Sequence, residues 1–248
     1  MIEIINVLKN FNSHQVLRGV NLTIRNGETM VIIGRSGCGK TVLLRHMIGL
    51  VQPDSGQVIV DGQDVATLTG KELEALHLKF GMLFQGAALF DSMTVGENVA
   101  FSLREHTQMK EEEVDARVRE CLGLVGLKGI EHLKPAELSG GMRKRVGLAR
   151  ALAIGPKIIL YDEPTTGVDP VMADAINKLI KELHDRLKVT GVAVTHDMVS
   201  AYKIADRIAM LHEGKILQVG TPDEIRNTSN PIVRQFILGL SEEGGHQR

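Results

Sequence analysis

The sequence predicts an α/β domain with a largely parallel central sheet, preceded by an antiparallel β layer and carrying an inserted helical subdomain. Three observations lead there. Thr29 to Ile33 is a nearly continuous apolar run that ends at Gly34 and gives way to helix-spaced apolar residues from Lys40, in the order strand, glycine loop, helix. Two further runs of the same kind, Lys157 to Tyr161 and Gly191 to Thr195, are separated by segments of helical period. Residues from about Gln85 to Gly155 carry helical signals and little strand pattern.

Taken in order, Ile2, Ile4 and Val7, then Val16, Val20, Leu22 and Ile24, alternate loosely with polar residues and break at Asn26-Gly27, which reads as an antiparallel edge layer. After the glycine loop, Leu43, Leu44, Met47 and Ile48 recur at helical spacing. Gly81 to Phe84 is strand-like. Val114, Val118, Cys121, Leu122 and Val125 mark one face of a helix in the insertion, and Val146, Ala149, Leu152 and Ala153 mark another. Ile176, Leu179, Ile180, Leu183 and Leu187 do the same between the later strands. Beyond Thr228, Asn230 is placed to cap a helix with Pro231 in its first turn and Val233, Phe236, Ile237 and Leu240 on one apolar face. Such a helix either packs on its own domain or docks on another subunit. Residues 1–228 are therefore expected to form one domain, with a helical subdomain at about 86–155, and residues 229–248 a C-terminal amphipathic helix and tail, disordered from Glu242 to Arg248.

Composition narrows the class. With 248 residues, 43% hydrophobic and 24% charged, the chain is long enough for a large core and close to the globular average. Its 29 basic and 30 acidic side chains leave a formal net charge of -1, so no overall field draws it to nucleic acid or anionic lipid. No apolar run approaches the roughly 18 residues of a transmembrane helix, and the N-terminus lacks the basic and apolar regions of a signal peptide. The chain is expected to stay in the cytosol unless a partner recruits it. Cys38 and Cys121 sit in no CxxC or Cys/His cluster, so neither a disulfide framework nor a zinc site is indicated.

Chemistry concentrates in a few places. Gly34-Arg35-Ser36-Gly37-Cys38-Gly39-Lys40-Thr41 matches GxxxxGK[ST], the phosphate-binding P-loop, in which backbone N–H groups curl around phosphate oxygens. Lys40 adds a point charge, the following helix aims its positive end at the same phosphates, and the Thr41 hydroxyl is placed to ligate magnesium. Cys38, at a helix N-terminus inside this loop, is expected to have a lowered thiol pKa and an exposed sulfur, unless it is merely a small loop residue. Ile158 to Glu163 is an apolar strand ending in two carboxylates, which puts Asp162 at the sheet edge where ligands collect. Asp162 is predicted to hold magnesium through water, and Glu163 to face the γ-phosphate and polarise the attacking water. The core is thus expected to be a P-loop NTPase of RecA-like type.

Leu138-Ser139-Gly140-Gly141-Met142 precedes a helix, and here the chain resembles the ABC ATPase family, whose signature is LSGGQ. The resemblance implies that Ser139, Gly140 and Gly141 present a helix N-terminus to the γ-phosphate of a nucleotide on the facing subunit. Met142 stands where glutamine is usual, and Arg143-Lys144-Arg145 follows as is common in the family. The remaining marks fall in order over about residues 1 to 225. Phe11, at the usual distance before Val16-Leu17, looks like the aromatic that stacks on adenine, the alternative being an ordinary core phenylalanine. Gln85 looks like the Q-loop glutamine that reaches magnesium and the attacking water, Thr166-Gly167-Val168-Asp169 resembles the D-loop that crosses to the other subunit, and His196 looks like the switch histidine on the γ-phosphate.

Leu83 to Val95, with Asn98-Val99 beyond it, is similar to the Mla subfamily, the ATPase subunits of bacterial phospholipid transporters that work with MCE proteins. That resemblance implies ATP and Mg²⁺ as cofactors and a second copy of the chain in an ATP-sandwich dimer. It also implies a membrane permease touching Ala87 to Met93, an MCE lipid-binding subunit, a small STAS-domain protein, and a place on the cytoplasmic face of the inner membrane. A soluble ABC protein acting on nucleic acid or the ribosome would usually carry coiled-coil insertions, zinc motifs or two cassettes, none of which is present. A P-loop kinase would leave Ser139 to Met142, Asp169 and His196 without jobs. An importer ATPase for another small solute stays open.

Overall fold

β1 (Ile2–Phe11) and β2 (His14–Ile24) form an antiparallel hairpin with Ile2 opposite Ile24 and Phe11 opposite His14. The pairing shifts between Ile4 and Val7, where Asn6 adopts φ 49°. A bulge carries the next side chain to the other face, which is why the buried residues run Ile2, Ile4, Val7 and the alternation in sequence is loose. These elements come from a computed structural model that describes residues 1–240; the tail expected from Glu242 to Arg248 lies outside the described residues.

β3 (Thr29–Ile33) is buried at every position and leads through the glycine loop into α1 (Lys40–Met47). β4 (Ser55–Val60) and β5 (Gln63–Asp64) return to the N-terminal layer, whose strand order is β2-β1-β4-β5. After α2 (Gly70–His77), β6 (Phe80–Leu83) enters a second sheet. Then come α3 (Val95–His106), α4 (Glu111–Leu124) and α5 (Gly140–Ala153), with no strand among the described residues before β7 (Ile158–Asp162). The described chain closes with α6 (Pro170–Leu187), β8 (Thr190–Thr195), α7 (Met198–Ile204), β9 (Arg207–His212), β10 (Lys215–Gly220), α8 (Pro222–Arg226) and α9 (Pro231–Ile237).

The second sheet runs β10-β9-β3-β8-β7-β6, parallel throughout except for β10, which is antiparallel to β9. Successive side chains of a strand point to opposite faces, and both faces here are covered. Met30 and Ile32 join Leu43, Leu44 and Met47 of α1 and the inner face of the N-terminal layer, whereas Val31 and Ile33 join the cluster built on α5, α6 and α7. α3 and α4 pack on α5, and α5 packs in turn on β6 and α6, so the helical segment is anchored to the sheet through its last helix.

Register fixes the working edge. Ile33 pairs with Thr195, and Asp162 with Val194, so the C-terminal ends of β3, β7 and β8 bring Gly34, Glu163 and His196 to one side of the sheet. At the C-terminus, Asn230 Oδ1 accepts from Ile232 N at 3.0 Å and Val233 N at 3.3 Å, and Pro231 opens α9. Val233 is buried, with Phe236 and Ile237 packed against the chain's own core. Leu240 departs from the expected apolar face: the helix ends at Ile237, Gly239 turns with φ 65°, and Leu240 is exposed.

Candidate functional site

The loop between β3 and α1 requires glycine where the chain passes closest to other backbone. A Cβ on Gly34 would stand 2.3 Å from the Leu211 carbonyl oxygen, and Gly39 caps α1 with φ 103°, a conformation side chains rarely adopt. Lys40 is buried and folds back over the loop, donating from Nζ to Gly34 O at 2.8 Å and Arg35 O at 3.1 Å while lying 3.6 Å from Glu163 Oε1. Thr41 Oγ1 donates to Asp162 Oδ1 at 2.9 Å. Burial raises the Asp162 pKa; the Thr41 bond opposes this, and the neighbouring Glu163 carboxylate adds to it.

Glu163 is the most constrained side chain of the group. Its backbone sits at φ 49°, in the left-handed region, with its N–H donating to Val194 O at 3.0 Å. Its Oε2 is 2.9 Å from His196 Nδ1 and accepts from Thr166 Oγ1 at 3.1 Å and Thr195 Oγ1 at 3.4 Å. A cleft of about 360 Å³ opens onto Val16, Ser36, Gly37, Lys40, Gln85, Glu163 and His196, among others. Eight positions singled out in sequence (Ser36, Gly37, Gly39, Lys40, Thr41, Gln85, Glu163 and His196) thus share one cavity, although β3, β6, β7 and β8 deliver them from distant parts of the chain.

Other predicted residues lie elsewhere. Phe11 ends β1 and is 44% exposed, which removes the core alternative; Lys9 Nζ lies 5.5 Å from its ring centre. Ser139 caps α5, its Oγ accepting from Met142 N at 3.2 Å, and Gly140 lines a different cleft together with Gln85, Lys144 and Gly167. Gly141 packs so tightly that a Cβ would meet the Met172 side chain at 2.4 Å. Asp169 caps α6, accepting from Val171 N and Met172 N at 3.0 Å each. Within one chain, then, Ser139, Gly140, Gly141 and Asp169 stay outside the cavity that holds Lys40 and Glu163.

Cys38 corrects an expectation. Its sulfur is half-buried against the core beneath α1, and that burial raises the thiol pKa against the opposing pull of Lys40 and of backbone N–H groups. Desolvation outweighs the helix terminus here. Cys121 is core, with its thiol pushed up to about 11 by burial.

Sequence reasoning missed Thr195 and Thr166 as partners of Glu163, and it missed Lys144 and Arg150. Lys144 Nζ donates to Gln85 O and, at 3.3 Å, to Glu163 O. Arg150 donates to Ala88 O at 2.6 Å and Ala87 O at 2.8 Å, bracing two consecutive residues at φ 63° and 47°. A signal was available: Gly141, Lys144, Leu148 and Ala151 follow one stripe of α5, so the lysine falls on the buried face. Beside Arg150 runs a groove of about 520 Å³ lined by Met82, Phe84, Phe90, Phe101 and Ile154, with the Phe90 and Phe101 ring centres 5.0 Å apart.

A glycine phosphate loop, a carboxylate pair at the end of the adjoining strand and a parallel sheet that brings them together define a P-loop ATPase. The chain belongs to the ABC transporter family, which matches residues 17–166, and it is an ATP-hydrolysing, ATP-binding subunit of that family. It is 43% identical to the probable ribonucleotide transport ATP-binding protein mkl of Mycobacterium tuberculosis over 98% of this chain and 69% of that one. It is 38% identical to the intermembrane phospholipid transport system ATP-binding protein MlaF of Haemophilus influenzae over 98% of this chain and 92% of that one. Its fold is similar to a dimeric ATP-binding cassette solved in a post-hydrolysis state with ADP and Pi, with a TM-score of 0.82 and 35% identity over 90% of this chain and 99% of that one.

Proposed function

We propose that the chain is the ATPase subunit of a bacterial transporter that moves phospholipids between the inner and outer membranes, working as a dimer with two composite ATP sites. The observation that carries the engine is the division of the site: Lys40, Thr41, Asp162, Gln85, Glu163 and His196 converge at one sheet edge, and the Ser139 helix terminus lies outside their cavity. Two copies facing one another would place each Ser139 to Gly141 turn over the other's P-loop, with Asp169 at the crossing and Phe11 against adenine.

In that reading the P-loop N–H groups and Lys40 bind the β- and γ-phosphates. Glu163, steadied by Thr166, Thr195 and His196, orients the attacking water and accepts its proton. His196, half-exposed on the cavity wall, is free to follow the γ-phosphate. The donor set suits Mg²⁺: Thr41 hydroxyl and Asp162 carboxylate oxygens are adjacent, Gln85 faces the same cavity, and a buried carboxylate with a raised pKa favours an incoming cation. When bound, the ion neutralises charge on the phosphate oxygens.

The phospholipid cargo rests on the Leu83 to Val95 stretch and on the MlaF relative, which this chain spans almost end to end. The mkl relative favours a small-solute transporter instead, and is matched over a smaller share of its length. The Phe84, Phe90 and Phe101 groove beside residues 87–93 is the surface offered to a membrane permease segment. An MCE subunit and a small STAS-domain protein complete the assembly, with this chain on the cytoplasmic face of the inner membrane. Among the described residues no helix is long and apolar enough to cross the membrane, in keeping with a peripheral place.

Glu163→Gln tests the chemistry. The variant is expected to keep ATP binding and to lose nearly all turnover, accumulating as an ATP-bound dimer on size-exclusion chromatography. Hydrolysis at the wild-type rate would overturn the assignment of the base. For the cargo, disabling the chain should displace phospholipid between the two membranes; an unchanged lipid distribution with a lost solute uptake would favour the importer reading.

A further inference from the structure

Lys144 is a lysine that the packing could have excluded and did not. It lies on the inner stripe of α5, is only 6% exposed, and among the described residues makes no ion pair with a carboxylate. A buried ammonium is retained where its donors are used. Here they reach two main-chain carbonyls, those of Gln85 and Glu163. Gln85 and Glu163 are the two cavity residues that approach the attacking water, and they arrive on different strands, β6 and β7.

The Glu163 carbonyl is doubly engaged, accepting from Lys144 Nζ at 3.3 Å and from Thr166 N at 3.2 Å. That matters because Glu163 holds a left-handed φ of 49°, a conformation that persists only when surroundings over-determine it. Charge-assisted bonds to carbonyl oxygens are about twice as strong as neutral ones. Burial lowers the Lys144 pKa, while the Asp162 and Glu163 carboxylates act to keep it charged. Five residues upstream stands Ser139, which caps α5 and would face the second copy in the proposed dimer.

We propose that Lys144 is a positioning residue for hydrolysis: through Gln85 O and Glu163 O it locks the water-orienting residues to α5, so that displacement of the Ser139 end of the helix moves both. This rests on Glu163 being the general base. When α5 shifts, Gln85 and Glu163 must follow or two charge-assisted bonds must break. Closure of the dimer on the Ser139 turn is thereby read directly by the carboxylate, within one helix and without any change in the contacts that this chain's own P-loop makes to its nucleotide.

The experiment compares Lys144→Met, Lys144→Gln and Lys144→Arg in the full chain, with Glu163→Gln alongside, measuring equilibrium ATP affinity separately from kcat. Lys144 touches no nucleotide in this scheme, so Lys144→Met should lose about tenfold or more in kcat while its ATP Kd stays within about threefold of wild type. Lys144→Arg, which keeps a cation and donors, should exceed Lys144→Gln in kcat at matched ATP affinity. A Lys144→Met enzyme with kcat within about twofold of wild type, or a loss residing wholly in ATP affinity, overturns the proposal. Should Lys144→Met fail to fold, the Arg and Gln pair decides, and equal kcat values overturn it. A wild-type rate in Glu163→Gln overturns the base assignment and this proposal with it; an inactive Glu163→Gln beside an unimpaired Lys144 series overturns this proposal alone.

Discussion

Cys38 and Glu163 show how far a residue's neighbours, more than its type, decide its chemistry. The loop motif alone puts Cys38 at a helix N-terminus beside a lysine, where a thiol should ionise early. The structure turns the sulfur toward the core, and burial raises its pKa instead. The sign is definite: a raised thiol pKa leaves less thiolate at neutral pH, so iodoacetamide should modify Cys38 more slowly than a free cysteine, with a rate that keeps climbing as pH rises beyond the ordinary thiol range. Peptide mass spectrometry against pH reads this, and faster modification than free cysteine at pH 7 would refute the burial argument. Once modified, the chain should no longer bind ATP, because even a Cβ on Gly34 would lie within 2.8 Å of this sulfur and the added group has no room beneath the loop. At Glu163 the acidic pair at a strand end was legible, because a strand ending in carboxylates beside a P-loop has few other uses. Its hydroxyl partners Thr166 and Thr195 were not, since they meet it through turn geometry and a neighbouring strand.

At the level of elements, legibility followed the apolar pattern. β3, β7 and β8 are continuous apolar runs buried on both faces and could be read directly. β4 has apolar residues only at its end, Val58, Ile59 and Val60, and β9 and β10 carry Arg207, His212, Lys215 and Gln218 among theirs, so neither a continuous run nor an alternation marks them and sheet partners decide their state. The loop after β6 shows what sequence hides. Asn98 of α3 is completely buried, and its side chain accepts from Phe90 N at 2.8 Å and donates to Phe90 O at 3.1 Å, Met93 O at 3.3 Å and Thr94 O at 2.9 Å. One amide therefore pins residues 90–94 to the helix. Asn98→Ala leaves that N–H and those carbonyls to find other partners and should destabilise the chain by about 1–3 kcal/mol, seen as a lower midpoint in urea. ATP affinity should hold, since Phe90 to Thr94 do not line the phosphate cavity. An unchanged midpoint would mean that water replaces the amide and that the loop is not held from α3.

The whole molecule poses a question that one chain cannot answer from within: Lys40 and Gly140 line different cavities, so a site needing both the P-loop and the Ser139 turn must take them from two copies. A mixing experiment makes this quantitative. Lys40→Ala removes the phosphate charge from the P-loop side. Gly140→Asp defeats the other side without disturbing its own fold, because a Cβ there meets nothing closer than 4.0 Å, while the added carboxylate would stand where a partner's γ-phosphate should dock. Each variant alone should be inactive, every site in its dimers being defective. Mixed and allowed to exchange, half the dimers would pair one chain of each kind. In such a dimer one site receives both damaged halves, and the other receives the intact P-loop of the Gly140→Asp chain with the intact Ser139 turn of the Lys40→Ala chain. With independent sites, roughly a quarter of the wild-type rate per chain should return. Coupling between the two sites lowers that fraction but leaves it above either parent, and the gain should grow with protein concentration as dimers form. A mixture no more active than its parents, under conditions where subunit exchange is demonstrated by labelled chains, would place the complete site within a single chain and refute the two-copy reading.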